Sequence, residues 1–374
     1  MSAETAQDCT ARPVLIGVLL NNKNIIYGAH PGSTRLVLLN KANQAVRSTL
    51  YLFSLKDIYY ENNMIYGAYF DHDQGRWLNQ YFTFPDVLYL RDGVPEHRKK
   101  ELQRFLSATK AINTRKVNNL PAFNKWDVHQ VLCSDRRIKL YLPETRLYRR
   151  YGGDLVPMLQ HYGRVYLKAC RGRQGRQVMQ ITRLPNGYYE FSYFVRNLTS
   201  RRVPLNSLYQ VIHDFFGGKD FIIQEPIDLI EIDGMKVDLR SEVQRNGRGD
   251  LEIVAVPVRV GRKNSPITTH ALSYRFEDFF FDQMHYSEAA LESLEKRIHH
   301  FLFSVYESIE KYYGPFGEMG IDLGLDKNGK LWFIECNSQP AKVSLINAYN
   351  EITVTKAFTN PLEYALYIAG SANG

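Results

Sequence analysis

The sequence predicts a mixed protein of the α+β and α/β kind, with two or three domains, and three observations predict it. Strand-like runs and runs with helical period succeed one another along most of the chain. The length, 374 residues, is more than one hydrophobic core fills. The 25 tyrosines and 20 phenylalanines favour pleated, half-buried strands.

Taken in order, residues 14–120 read as a small α/β region. Its strands are Val14–Leu20, Met64–Phe70 and Val87–Leu90, and a helix follows from about Glu96 to Ser107. Residues 121–220 open on a helix: Asn124 is a suitable N-cap, and Asp127 sits at the end the helix dipole favours. Helices near Asp154–His161 and Leu205–Phe216 then bracket strands Arg164–Ala169, Gln177–Thr182 and Tyr188–Val195. Further on come strands Phe221–Gln224, Lys236–Gln244 and Leu251–Val260, and a long helix from Ser287 to Tyr313. Leu291, Leu294, Ile298, Phe301, Val305, Ile309 and Tyr312 recur in that helix at intervals of three and four, so one stripe is core. Gly314 stops it.

Hydrophobic content of 44% and charged content of 23% describe a globular chain. A net charge of +8 favours anionic partners, nucleotides and phosphates as readily as nucleic acid. The basic residues fall in short clusters (His97–Lys100, Arg149-Arg150, Arg171–Arg176, Arg201-Arg202), without the unbroken block of a polyanion-binding arm, so no nucleic acid is expected. Cys9, Cys133, Cys170 and Cys336 lack the spacing of a zinc site or a disulfide framework and fit a reducing compartment. Val14–Leu20 is too short to cross a membrane and follows Glu4 and Asp8, where a signal peptide needs basic residues.

The most informative segment is Gly317–Asn337. Asn328-Gly329 signals a two-residue hairpin turn, which pairs Lys327 with Lys330 and sets Asp322 opposite Glu335. One face then carries Ile321, Leu323, Leu325, Trp332, Ile334 and Cys336 as core. The other carries Gly320, Asp322, Gly324, Phe333, Glu335 and Asn337. A longer loop from Asp326 to Gly329 would leave both acids on that face, but diagonal. Facing carboxylates repel by about 3 kcal/mol at roughly 5 Å and an effective dielectric near 20. A hard divalent cation reverses the sign of that interaction, and two carboxylates with an amide oxygen suit Mg²⁺ shared with substrate phosphates. The same pattern also fits the solvated face of an ordinary hairpin.

Two further segments suit a polyphosphate. Arg164–Val178 reads as strand, glycine-bearing loop, strand, with Lys168 projecting as a point charge; a solvated basic turn is the alternative. Gln224-Glu-Pro-Ile-Asp228 ends a strand, exposing amides and acids that suit an adenine edge and ribose hydroxyls. Asp238 and Arg240 share one strand face, either at a site or as a surface ion pair.

In order, these pieces resemble the ATP-grasp superfamily, and more narrowly the YheC/YheD-type proteins of spore-forming bacteria. The motifs that carry the resemblance span residues 60–345: Gly67-Ala-Tyr, Phe84–Tyr89, Phe123–His129, Tyr141–Arg146, Val165–Lys168 with its glycine loop, Gln224–Asp228, Asp238-Leu-Arg240, Gly320–Gly324 and Phe333–Pro340. The resemblance implies an ATP-grasp fold, two α+β subdomains gripping ATP behind an N-terminal α/β domain, divided as 1–120, 121–220 and 221–374. It implies that Lys125 and Lys168 touch the phosphates of ATP and that the loop holding Gly172 and Gly175 closes over them. Gln224, Glu225, Pro226 and Ile227 would hold adenine, with Asp228 and Asp238 near the ribose. Arg240 and Lys168 would act on the transferred phosphoryl group, and Asp322, Glu335 and Asn337 would bind Mg²⁺.

The implied activity is ATP-dependent carboxylate–amine ligation through an acyl phosphate, on an amino acid or peptide. The alternative is a non-catalytic or nucleotide-binding structural protein of the spore coat. Two departures from the resemblance support that alternative: Ala169 and Arg173-Gln174 stand in the loop region, and no glycine pair follows Arg259-Val-Gly261. The implied location is cytoplasmic with spore-coat association, with spore-coat proteins as partners and no membrane.

Overall fold

The computed structural model describes residues 12–21, 34–148, 153–172, 177–263, 265, 268 and 272–370. They fall into two compact units. The first comprises Met1–Asn118, Arg245–Asp250 and Phe358–Gly374, the second Asn119–Gln244 and Leu251–Ala357.

The first unit is built on a mixed sheet. Leu15–Leu19 lies at its centre, parallel to Thr49–Phe53 on one side and Val87–Leu90 on the other. Its residues Ile16–Leu19 are buried without alternation, as expected for a parallel strand covered on both faces. Met64–Asp71 and Arg76–Thr83 form an antiparallel hairpin beyond Thr49–Phe53. Leu19, Tyr51, Phe53, Phe82, Leu88, Leu90 and Phe105 form the core, and the Tyr51 ring stacks on Phe82 at 4.3 Å.

The second unit holds two sheets. Six antiparallel strands run in the order Leu198–Pro204, Tyr188–Phe194, Val178–Arg183, Arg164–Ala169, Phe221–Gln224, Thr145–Leu147. Helices Leu155–Tyr162 and Leu205–Phe216 supply the apolar side chains that cover Val165, Leu167, Met179 and Ile181. Period-two alternation therefore turns Tyr166 and Lys168 to the opposite face.

The other sheet orders its strands Leu272–Tyr274, Val258–Val260, Met235–Arg245, Glu318–Leu325, Leu331–Asn337. Helix Glu288–Tyr313 lays Leu294, Ile298, Phe301, Val305 and Ile309 against Val237, Leu239, Val243, Ile321 and Leu323. Ser287 caps the helix through the Ala290 N–H, and Gly314 ends it. The expected strand Leu251–Val260 is two strands, Leu251–Ala255 and Val258–Val260. Pro257 lies in the gap and has no N–H for a ladder.

The hairpin tip differs from the two-residue turn expected at Asn328-Gly329. The Asp326 carboxylate accepts from the N–H groups of Asn328 and Lys330 and from the Trp332 indole, so the turn is longer. Gly329 takes the left-handed conformation, φ 77°. Near the tip Leu325 pairs with Leu331 and Leu323 with Phe333, so Phe333 is core and Trp332 stands opposite Gly324. This reverses the expected faces of Trp332 and Phe333. Beyond Phe333, Ile334 is an extra residue, and the register resumes with Asp322 opposite Glu335 and Gly320 opposite Asn337.

Candidate functional site

Strand alternation and register build one polar face in the second unit. On Met235–Arg245, Val237, Leu239 and Val243 enter the core, so Asp238, Arg240, Glu242 and Gln244 point the other way. Asp238 stands opposite Arg259, Arg240 opposite Asp322, and Asp322 opposite Glu335. Gly320 keeps the row narrow, since a Cβ there would lie 3.0 Å from Pro340 and 3.1 Å from Nε of Arg240.

Basic side chains hold every acid of this row. Arg240 donates from Nη1 to Oδ1 of Asp322, and Arg259 donates from Nη2 to its Oδ2 at 3.0 Å. Arg259 also grips Asp238 with two bonds of 2.6 Å, and the Thr268 hydroxyl donates to the same carboxylate. Glu335 receives Lys125 at 3.1 Å on Oε2 and the Asn337 amide at 3.2 Å on Oε1. Lys125 opens helix Lys125–Cys133, whose Asn124 cap accepts from Trp126, and its own N–H donates to the Cys170 carbonyl. That bond ties the helix to the end of the Lys168 strand.

Lys168 donates to the Gln224 side chain at 2.6 Å, and Gln224 donates in turn to Thr145. Lys236 reaches from the second sheet to the Tyr166 hydroxyl at 2.6 Å. The polar faces of the two sheets thus look at each other.

The electrostatics follow from burial and charge. Desolvation pulls the Lys168 ammonium down to about 8, reinforced by Lys125 and opposed by Glu335 and Asp322. Burial pushes the Asp322 carboxyl up, although both guanidiniums pull against it. Burial acts in the same sense on Glu335, but Lys125 and Arg240 outweigh it and hold that carboxyl below the usual range. Counted as charges, Lys125, Lys168, Arg240 and Arg259 exceed Asp238, Asp322 and Glu335 by one. The face therefore suits a polyanion better than a bare cation.

Seven expected site residues meet here: Lys125, Lys168, Asp238, Arg240, Asp322, Glu335 and Asn337. Gln224 joins them through Lys168, and Glu225, Pro226 and Ile227 continue the chain from it, partly exposed. Asp228 is exposed and pairs with Lys327 at 3.1 Å, apart from the cluster. Gly172 has room around it: a Cβ added there would come no nearer than 3.7 Å to Ala169 and Gln177. Gly175 lies outside the described residues. Arg259 is absent from the expected site residues; its only signal is an arginine flanked by valines on a strand that follows Asp238-Leu-Arg240.

Magnesium takes hard oxygen ligands, and these residues offer few of them. Among those described, no group of three or more His, Cys, Asp or Glu is placed to hold a metal. Two carboxylates and one amide on adjoining rungs form a sparse, hard-oxygen set. Such a set suits Mg²⁺, which keeps waters and takes phosphate oxygens to complete its shell. The residues fit the ion in company with a phosphate ligand.

These two α+β halves with facing polar sheets define an ATP-grasp fold. Solved structures share it: D-alanyl-alanine synthetase A from Vibrio cholerae O1 biovar eltor superposes with a TM-score of 0.53 at 13% identity, covering 94% of this chain and 99% of that one. D-cycloserine synthetase DcsG gives 0.53 at 12% identity, covering 96% and 99%. The chain belongs to the YheC/D-like ATP-grasp family, whose model matches residues 113–368. It is 29% identical over 333 residues to the endospore coat-associated protein YheD of Bacillus subtilis (strain 168), covering 86% of this chain and 71% of that protein. To YheC of the same organism, also named endospore coat-associated, it is 24% identical over 312 residues, covering 78% and 80%. Among the described residues no helix is long and apolar enough to cross a membrane.

Proposed function

We propose that the protein is an ATP-dependent ligase that activates a carboxylate as an acyl phosphate and joins it to an amine, on an amino acid or peptide. The observation that carries this reading is the single row Asp238–Arg240–Asp322–Glu335, faced by Lys125 and Lys168. A purely structural sheet has no need to gather four cations and three acids on one buried face, where desolvation is costly.

Asp322, Glu335 and Asn337 would hold Mg²⁺, which supplies charge neutralisation to the β- and γ-phosphates when bound. Lys125 and Lys168 bind phosphate oxygens as ammonium point charges, leaving Glu335 and Gln224 to do so. Gln224 and the following Glu225, Pro226 and Ile227 hold the adenine edge, and Asp238 lies toward the ribose. Arg240, released from Asp322, stabilises charge on the phosphoryl group in transit. Catalysis here is positioning and charge stabilisation, without a covalent enzyme intermediate.

The test is a screen of ADP release over amino acids and short peptides, with mass analysis of the products. Acceptor-dependent ADP release with a new amide in the products supports the reading. The names of the two Bacillus relatives favour a second one, a coat-located structural protein that keeps the fold without ligation. Under that reading no acceptor stimulates ADP release. Spore-coat proteins are then its partners, and a ligase in the forming coat would meet the same ones.

A further inference from the structure

All four carboxylate oxygens of the Asp322–Glu335 pair already accept a hydrogen bond or ion pair. Arg240 and Arg259 take one oxygen each of Asp322, and Lys125 and Asn337 take one each of Glu335. Each oxygen keeps a second lone pair, but a divalent cation bound there would lie against a donor, in three of the four cases a full positive charge, so its entry favours moving one of these donors away. They are not equally easy to displace. Arg259 holds Asp322 by one bond of 3.0 Å while holding Asp238 by two of 2.6 Å, so it gives up Asp322 and keeps a buried counter-ion. Thr268 braces the same Asp238 carboxylate. The same nitrogen, Nη2, serves Asp238 at 2.6 Å and Asp322 at 3.0 Å. A small shift of the whole planar guanidinium toward Asp238 therefore breaks the longer bond first and is the smallest change that opens the metal position.

We propose that Arg259 is a positioning residue that competes with the divalent cation for Asp322, so that the metal enters together with a triphosphate and is held off when it comes alone. This inference rests on Asp322 and Glu335 being the metal ligands. The chemistry is electrostatic. A second positive charge beside a dication at close range is strongly unfavourable in a buried face. A triphosphate brings the negative charge that removes the conflict, since Lys125, Lys168 and Arg240 then have oxygens of their own to bind.

The experiment measures Mn²⁺ binding to the full-length protein by electron paramagnetic resonance of the free ion, with and without ATP. The wild type is expected to bind Mn²⁺ alone weakly and Mn²⁺ with ATP at least about tenfold more tightly. Arg259→Gln is expected to bind Mn²⁺ alone at least about tenfold more tightly than the wild type, a gain that loss of structure does not produce. Adding Asp322→Asn to that variant should abolish the gain, which assigns it to Asp322 and not to the unpaired Asp238. Arg259→Lys keeps a charge on Asp238 but lacks the fork that spans both acids, so it should show a smaller gain. It decides the matter if the glutamine variant does not fold. Unchanged or weaker Mn²⁺ affinity in a folded Arg259 variant overturns the proposal. Equal Mg·ATP affinity in wild type and Asp322→Asn/Glu335→Gln overturns instead the metal assignment beneath it.

Discussion

Glu335 lies opposite Asp322 because Ile334 is an extra residue in its strand, and that bulge offsets the one-residue shift set at the hairpin tip. The tip is fixed by Asp326, whose buried carboxylate accepts three hydrogen bonds. Replacing it with alanine should cost about 2–3 kcal/mol, measured by urea unfolding. These bonds hold the Asp326 carboxyl below its usual range, although burial, the largest influence, opposes them. Its contribution is thus present above the unfolded aspartate pKa of about 3.9 and is lost as pH falls through the lower folded value. The stability difference between wild type and variant should narrow in strong acid.

Gly320→Ala should impair turnover more than binding. The added Cβ meets Pro340 at 3.0 Å and Arg240 Nε at 3.1 Å, so the guanidinium shifts by a few tenths of an ångström. Misplacement on that scale should lower kcat about tenfold while the Kd for Mg·ATP stays within about twofold, read by steady-state kinetics and calorimetry.

Binding of Mg·ATP should be accompanied by proton uptake near pH 8. Lys168 titrates at about 8, against an ordinary 10.5, and phosphate oxygens favour its charged form. Calorimetry in buffers of different ionisation heat should detect the uptake in the wild type and not in Lys168→Met. Stability follows by linkage. Between about pH 8 and 10.5 the unfolded chain holds this proton more readily, so the Lys168 contribution to stability becomes more favourable as pH rises. The wild type should gain on Lys168→Met across that window.

Lys342 is buried between Glu318 and Glu242 and takes a left-handed backbone conformation, φ 56°, five residues after Asn337. Lys342→Met leaves two buried acids with less countercharge. It should destabilise the protein by about 3 kcal/mol or more, seen as a lowered denaturant midpoint.

Much of this architecture is legible in the sequence where one periodicity acts alone. Arg164–Ala169 alternates strictly, and Leu205–Phe216 and Glu288–Tyr313 carry clear apolar stripes, so their types and ends follow from pattern. Helix Thr34–Val46 is less legible because its apolar and polar residues do not segregate. Helix Glu351–Gly370 contains Pro361, which reads as an interruption. The hairpin tip misleads because Asn328-Gly329 favours a tight turn in isolation, while Asp326 bonds favour a longer one. Arg259 is invisible by spacing: it meets Asp238 and Asp322 only through strand pairing across more than twenty and sixty residues of chain.

The most direct measurement is calorimetric titration of Mg·ATP into the wild type and into the double variant Asp322→Asn/Glu335→Gln. The row of acids and cations predicts saturable binding in the wild type and affinity reduced at least about a hundredfold in the variant, since both charged ligands of the metal are removed. Equal affinity in both proteins, or no binding in either, would contradict it.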